Sequence, residues 1–140
     1  MSRPSKEHVF LQMAMLLGSR ACCIRRRVGC ILTDSEGLIV GTGYNGRIAG
    51  LPNCQGENKC VEFCEGMHAE INALLHLSGR PFTAYVTCQP CSPCTKALIA
   101  AGTQRLVIGT GEMDEEQRHG QRMWAAHGLE LLEINCTAGA

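Results

Sequence analysis

His68-Ala69-Glu70 and Pro90-Cys91-Ser92-Pro93-Cys94 are the two segments that decide how this chain is interpreted. One imidazole and two thiolates form a ligand set that holds zinc and leaves a fourth position open. The Glu70 carboxylate lies two residues from the histidine, within reach of a water at that open position. Each segment alone is a weak signal. Together, in this order, they predict a catalytic metal site.

The three ligands are expected at the starts of two successive helices. His68 would begin the first helix, and Cys91 and Cys94 would begin the second. The positive end of a helix dipole and its free N–H groups favour thiolate over thiol. Because Cys91 and Cys94 are three residues apart, both sulfurs fall on one side of a helical turn.

Each of these residues taken singly also fits a structural role. A Cys-x-x-Cys pair occurs in redox sites and in purely structural zinc sites, and a single histidine is more often a hydrogen-bonded core residue. An acid at a helix start, such as Glu70, is stabilised by the helix dipole without any catalysis. The complete set in this context favours the catalytic interpretation.

Helix and strand patterns alternate along the rest of the chain. Apolar residues at i, i+3, i+4 and i+7 predict the first helix, with Ser5 as its cap. The glycine- and cysteine-rich segment 44–66 lacks periodicity. A loop of this length within one domain is expected either to have a function or to be ordered by a cross-link such as a bound metal ion. The alternation predicts a mixed sheet with helices on both faces. The predicted helices are 6–20, 68–77, 91–101 and 115–127, and the predicted strands are 28–33, 38–43, 84–88, 105–109 and 129–134.

Length and composition limit the organisation and the partners. A chain of 140 residues that is 45% hydrophobic can bury one core, so we expect a single domain over residues 1–140. Thirteen basic residues balance thirteen acidic ones, which favours a small substrate over nucleic acid. Neither an export signal nor a membrane-length apolar run is present. We therefore expect a cytoplasmic protein whose ten cysteines serve as metal ligands or free thiols.

Over roughly residues 10–134 the chain resembles the cytidine/deoxycytidylate deaminase superfamily, and most closely its deoxycytidylate (dCMP) deaminases. The H-x-E…P-C-x-x-C arrangement is the known signature of zinc-dependent nucleobase deaminases. The resemblance implies a cytidine deaminase-like three-layer α/β/α sandwich with a mixed five-stranded sheet. It also implies hydrolysis of dCMP to dUMP and ammonia. Further blocks that carry it are 23–32 (CIRRRVGCIL), 43–46 (GYNG), 50–54 (GLPNC), 64–73 (CEGMHAEINA) and 85–87 (YVT).

The same resemblance implies roles for individual residues. Glu70 would carry protons between the attacking water, the ring nitrogen and the leaving ammonia. Asn45 would hydrogen-bond the sugar, and the Ala69 N–H would join Glu70 in contacting the O2 and N3 edge of the pyrimidine. A backbone carbonyl at Thr87 or Cys88 would face the departing amine.

A 5′-phosphate on the substrate requires cationic or backbone donors, and guanidinium groups suit it by their bidentate geometry. Arg25, Arg26 and Arg27 are the candidates, and we favour Arg26. The alternative for each arginine is a solvated basic turn before a strand.

Relatives often carry a second, structural zinc that joins the glycine-rich segment to the start of the first strand. Four thiolates form a closed tetrahedral site of that kind, and such a staple would order the segment. Ligand counting leaves substitutions open: Cys22 for Cys23, and His8 or His76 for one of the cysteines. The expected ligands of this second zinc are Cys23, Cys54, Cys60 and Cys64.

Partners and competing functions follow from the same analogy. A homo-oligomer, a hexamer by analogy, and control by dCTP and dTTP are expected, with neither a nucleic-acid nor a membrane partner. One alternative is deamination of another base: a cytidine or deoxycytidine nucleoside, guanine, or adenosine in tRNA. The other is a catalytically silent, zinc-stapled binding module. Balanced charge argues against tRNA, and an intact Glu70 argues against the silent module.

Overall fold

Eleven helices and strands follow one another in the part of the chain that the computed structural model describes, residues 2–23, 25–52 and 64–136. Their order agrees with the predicted alternation, apart from two short strands within the predicted loop. In chain order they are α1 (Lys6–Gly18), β1 (Gly29–Thr33), β2 (Ile39–Tyr44), β3 (Gly46–Arg47), β4 (Gly66–Met67), α2 (Ala69–Leu75), β5 (Thr83–Val86), α3 (Ser92–Ala100), β6 (Arg105–Gly109), α4 (Glu115–Ala126) and β7 (Glu130–Ile134).

The main sheet has five strands in the order β2-β1-β5-β6-β7. β1 runs antiparallel to both β2 and β5, whereas β5, β6 and β7 are parallel to one another. The parallel pairs are joined by α3 and α4, since a parallel connection needs a crossover. The predicted mixed five-stranded sheet is therefore confirmed.

Side chains alternate between two hydrophobic cores, one on each face of the sheet. Ile31, Tyr85 and Val107 pack with Leu11 and Ala14 of α1. The residues next to them in each strand point to the opposite face, where α2, α3 and α4 contribute Ala73, Leu98 and Trp124 respectively. This arrangement is the expected α/β/α sandwich. The strand residues of that second face are Cys30, Leu32, Ala84, Val86, Leu106 and Ile108.

Local sequence signals explain where the elements begin and turn. Ser5 caps α1, because its Oγ accepts the His8 N–H at 3.1 Å. The β1–β2 turn is held by Asp34, whose Oδ1 accepts the N–H groups of Glu36 and Leu38 at 2.9 and 3.0 Å. Gly37 in this turn has φ of +85°, a conformation that favours glycine.

The two ends of the glycine-rich segment 44–66 pair with each other. β3 and β4 pair antiparallel, with Gly46 opposite Met67 and Arg47 opposite Gly66. Arg47 also forms an ion pair with Glu65 beside the ladder. The loop predicted over 44–66 therefore has strand structure at both of its ends. Cys54 and Cys60 lie outside the described residues.

Candidate active site

Three potential metal ligands from two helix starts converge on one point. Nδ1 of His68 lies 3.4 Å from Sγ of Cys91 and 3.2 Å from Sγ of Cys94. All three ligand atoms lie within 4.8 Å of one another, and the described residues contain no other such group of three His, Cys, Asp or Glu side chains. The predicted grouping is present in the fold.

The helix starts position these side chains and leave them free to bind. His68 follows β4 directly and is the N-cap of α2, and Cys91 is the N-cap of α3. Neither side chain accepts a capping hydrogen bond from its own helix. Pro93 lies in the first turn of α3, where its missing N–H has no intrahelical partner to lose. The two caps therefore face each other with their ligand atoms available.

The surroundings favour thiolate at Cys91. The pKa of Cys91 is lowered, first by the hydrogen bond from Cys94 and then by that from His68, against the opposing effect of burial. Two sulfurs and an imidazole nitrogen are the donor types that zinc takes in proteins. The residues present therefore fit a zinc ion held by three protein ligands.

Glu70 is buried beside these ligands, with 4% of its surface exposed. It lies in the first turn of α2, two residues after His68. Burial raises its pKa to about 7, and the charge of Cys91 acts in the same direction. A carboxyl group that titrates near neutrality both accepts and donates protons, which suits general acid–base chemistry.

Arg26 is the arginine of its cluster whose charge reaches this site. Its guanidinium lies 3.7 Å from Oδ2 of Asp114, and 46% of the side chain is exposed. Its positive charge also lowers the pKa of Glu70 and of Cys88, in opposition to the effect of burial on both groups. Arg26 is thus half-exposed and near enough for its charge to act on Glu70 and Cys88.

Asn45 binds the backbone that carries the arginine cluster. Its Nδ2 donates to the Arg26 carbonyl at 2.7 Å, and its Oδ1 accepts the Val28 N–H at 2.7 Å. One further N–H and one lone pair of the amide remain available. The predicted sugar contact of Asn45 stays a prediction, and the structure adds a role in shaping the segment before β1.

The other predicted substrate contacts lie at helix and strand ends. Ala69 is fully buried as the first residue of α2, where its N–H has no acceptor within the helix. Thr87 follows β5 and exchanges hydrogen bonds with Gly29, through its N–H at 3.1 Å and its Oγ1 at 3.2 Å. Cys88 lines a shallow cleft at the carboxyl ends of β5 and β6, together with Ile108 and Glu133. Strand ends of this kind are where α/β folds bind ligands.

The first turn of α4 also contacts the site, which the sequence did not indicate. Ser92 Oγ donates to Glu116 Oε2 at 2.5 Å, and Gln117 Nε2 donates to the Gln89 carbonyl at 2.9 Å. The Asp-x-x-Gln spacing of a capping box is readable at Asp114 and Gln117. No sequence signal shows that this turn packs on the segment before Cys91.

None of the helices in the three described ranges is both long and apolar enough to cross a membrane.

Residues 4–110 match the family model described as the cytidine and deoxycytidylate deaminase zinc-binding region. The deoxycytidylate deaminase of Saccharomyces cerevisiae is 34% identical over 128 residues, which cover 81% of this chain and 41% of the yeast protein. The deoxycytidylate deaminase of Mycobacterium phage D29 is 33% identical over 128 residues, which cover 76% of this chain and 96% of the phage protein. The chain thus spans less than half the length of the yeast relative.

A solved structure has the same architecture. The dCMP deaminase of cyanophage S-TIM5, in complex with dCMP and dUMP, superposes with a TM-score of 0.82 at 24% identity. The superposition covers 96% of this chain and 100% of that chain. The two proteins share a fold.

Proposed function

This chain belongs to the cytidine and deoxycytidylate deaminase family, and from that premise we propose that it hydrolyses dCMP to dUMP and ammonia. One observation carries the proposal: His68, Cys91 and Cys94 converge beside the buried carboxyl group of Glu70. A structural zinc site has no need of a buried acid at that position.

His68, Cys91 and Cys94 would hold the zinc ion through Nδ1 and two Sγ atoms. Bound there, zinc would act as a Lewis acid that makes a water nucleophilic near neutral pH. Of the side chains that would hold the ion, Cys94 is 1% exposed, Cys91 is half-buried and the His68 imidazole is exposed.

Glu70 would move the protons of the reaction. Its carboxylate takes a proton from the attacking water and delivers it to N3 of the pyrimidine. Once the water oxygen is bonded to C4, the carboxylate takes the remaining proton of that hydroxyl group and gives it to the C4 amine, so that the C4–N bond breaks, ammonia leaves and C4 keeps a carbonyl oxygen. A pKa near 7 supports both directions of transfer, because neither protonation state is strongly favoured.

The remaining contacts would select a deoxynucleotide. Ala69 would offer its N–H to the O2 edge of the base, and the carbonyl of Thr87 or Cys88 would face the amine. Asn45 would bind the sugar through the amide N–H and the oxygen lone pair that its two backbone hydrogen bonds do not use. Arg26, half-exposed and near Glu70, would bind the 5′-phosphate in place of the Asp114 carboxylate.

A second zinc, bound by Cys23, Cys54, Cys60 and Cys64, is part of the proposal. Two described contacts support it: Sγ of Cys23 accepts the Arg25 N–H at 3.4 Å, and Sγ of Cys64 accepts the Gly66 N–H at 3.3 Å. N–H donors of this kind stabilise thiolate sulfur. Metal analysis decides the point: two zinc ions per chain support the second site, and one per chain in fully loaded protein rules it out.

Family resemblance also suggests a cytoplasmic homo-oligomer, hexameric by analogy, under dCTP and dTTP control. We propose these together with the single domain over residues 1–140. Analogy alone supports the oligomer and its control by dCTP and dTTP, whereas the single domain and the location rest on the length and composition of the chain.

The deciding experiment measures ammonia release from dCMP, deoxycytidine, CMP, guanine and a tRNA by the zinc-loaded protein. We expect turnover of dCMP and at least tenfold lower kcat/KM for deoxycytidine and CMP. Turnover of guanine or tRNA alone would assign a different base to the same site. The absence of turnover on every substrate by protein that retains zinc would support the silent binding module.

A further inference from the structure

One face of α4 packs against the backbone that leads into Cys91. Gln117 and Gln121 both donate to Gln89: the first to its backbone carbonyl at 2.9 Å, the second to its side-chain Oε1 at 3.2 Å. Gly120 lies between them on the same helical face, and a Cβ at this position would be 2.5 Å from the Pro90 carbonyl oxygen. Only a glycine permits the helix to come this close to the segment.

The Gln117 side chain is fixed at both of its polar ends. Its Nε2 holds the Gln89 carbonyl, and its Oε1 accepts the Asp114 N–H at 2.8 Å. The Gln117 N–H in turn binds Asp114 Oδ1 at 2.8 Å. The residue is 1% exposed, so water does not compete for these bonds. A buried amide that is satisfied in this way has one orientation.

The carbonyl that Gln117 holds is two residues from Cys91, and the intervening Pro90 is buried. Rotation of the Gln89–Pro90 backbone would therefore move the Cys91 sulfur relative to His68. Helix α4 lies outside residues 4–110, so the family match does not assign it a role.

We propose that Gln117 is a positioning residue that holds the Gln89–Pro90–Cys91 segment in the geometry for binding metal. The inference rests on the metal site of the proposed function. Groups that orient metal ligands through hydrogen bonds typically affect metal affinity by about 10- to 100-fold. Loss of the Gln117 amide frees the Gln89 carbonyl and lets the Cys91 sulfur sample other positions.

The test uses Gln117→Met, which keeps the length of the side chain and removes its amide. Zinc-loaded protein is mixed with an excess of a chromophoric chelator, and the rate of the release phase that is missing in Cys94→Ser, which belongs to the His68–Cys91–Cys94 site, is measured. The visible absorption of the Co²⁺-substituted protein is recorded in parallel, because its bands report ligand geometry. We expect release about tenfold faster than in the parent protein and a changed cobalt spectrum.

Two control variants separate positioning from general stability. Val107→Ala removes core volume on the opposite face of the sheet, and Gln104→Met replaces an exposed glutamine at the start of β6. The first should lower the unfolding temperature, and both should leave the zinc release rate and the cobalt spectrum unchanged. A folded Gln117→Met protein with the release rate and spectrum of the parent would overturn the proposal, as would an equal effect in Val107→Ala.

A milder variant covers the case in which Gln117→Met does not fold. Gln121→Met leaves the bond from Gln117 to the Gln89 carbonyl in place and removes the side-chain contact to Gln89 Oε1, together with one to Glu133 Oε1 at 3.2 Å, at a partly exposed position. It should accelerate zinc release in the same direction and by a smaller factor, and parent behaviour in this variant would then overturn the inference. These measurements need no substrate. If the protein binds zinc but does not deaminate dCMP, the proposed function is refuted, and the role of Gln117 in metal binding can still be tested.

Discussion

Nδ1 of His68 lies 3.2 Å from Sγ of Cys94, although the two residues are 26 positions apart in the chain. His68 is the N-cap of α2, and Cys94 lies in the first turn of α3. Strand β5 lies between α2 and α3 in sequence, and both helices pack on the same face of the sheet, so the two atoms meet only when both helices are docked there. The metal site is therefore a property of the folded sheet and of no single segment.

The buried sulfur of Cys94 is expected to be essential for metal retention. Cys94→Ser should lose one zinc ion per chain and reduce deamination to background, since a serine hydroxyl is a poor zinc ligand in place of a thiolate. Metal analysis and ammonia release measure the two effects. Ser92→Ala at the neighbouring position should keep its zinc. Full metal occupancy in Cys94→Ser would remove this residue from the ligand set.

Glu70→Gln should keep zinc and lose turnover. The amide has the size of the carboxyl group but carries no proton between water and base. We expect kcat/KM for dCMP to fall by about 10²- to 10⁴-fold, the range typical of a general acid–base group. Glu115→Gln, which alters an exposed acid paired with Arg118, is the matched control. Parent-level deamination by Glu70→Gln would exclude the proposed proton transfer.

Arg26→Gln should change the selectivity between a nucleotide and its nucleoside. A hydrogen bond to a charged group contributes about 1.5–3 kcal/mol, so kcat/KM for dCMP should fall roughly 10- to 100-fold. The value for deoxycytidine should fall much less, because that substrate has no phosphate and loses only the effect of the Arg26 charge on the pKa of Glu70. Arg25→Gln changes an exposed neighbour and serves as the control. An equal loss on both substrates would assign Arg26 to folding or to the base instead.

Glu7 should make stability depend on pH. Its pKa is lowered, first by the hydrogen bond to its own backbone N–H and then by Arg105, whose Nη2 lies 3.0 Å from Oε1. A lowered pKa in the folded state contributes stability above the unfolded value of 4.5 and loses it as the pH falls through the folded value.

Glu7→Gln should therefore lower the free energy of unfolding by about 0.5–1 kcal/mol at pH 7, the size expected for a partly exposed pair. At pH 3 the difference from the parent should be smaller. Chemical denaturation at the two pH values measures it, with Glu36→Gln in the exposed β1–β2 turn as the control. A difference that grows toward low pH would contradict the assignment.

Replacement of Gly43 by any residue with a side chain should destabilise the protein. A Cβ there would lie 2.4 Å from the Ala69 carbonyl oxygen and 2.6 Å from the Ala73 N, so α2 would have to move. Gly43→Ala should destabilise the protein by about 1–3 kcal/mol, as overpacking usually does. Gly46→Ala is the matched control, since no atom lies within 4 Å of its added Cβ. Equal unfolding temperatures of the two variants would show that α2 adjusts without cost.

The sequence predicted the parts of this protein whose signals are local. The β1–β2 hairpin and β6 have clear apolar patterns, and the predicted strand 105–109 coincides with β6. Helix α1 was also found, but Val9, Met13 and Leu16, whose spacing predicted it, are exposed, and its buried face is formed by Leu11 and Ala14 instead. The metal ligands were recognisable because their chemistry lies in the residue types and their spacing. The last predicted helix and strand were also found, with shifts of one residue at their ends.

Several contacts between segments that are distant in the chain could not be predicted from the sequence. β3 and β4 have two residues each, too few to show any periodicity. The contact of Gln117 with Gln89 depends on how α4 crosses α3, which no local pattern specifies. Asn45 likewise was predicted to bind a ligand, and the structure adds its two bonds to the backbone of residues 26 and 28.

The two-residue ladder between β3 and β4 has a consequence for how this architecture can diversify. Because Arg47 and Gly66 are paired, the chain between them starts and finishes at neighbouring points, and His68 is anchored on the far side of that junction. Insertions that keep Cys54, Cys60 and Cys64, the proposed ligands of the second zinc, would cost little closure entropy and should leave the pairing of Arg47 with Gly66 intact. Grafting foreign sequence there offers a route to new specificity without redesign of the reaction centre.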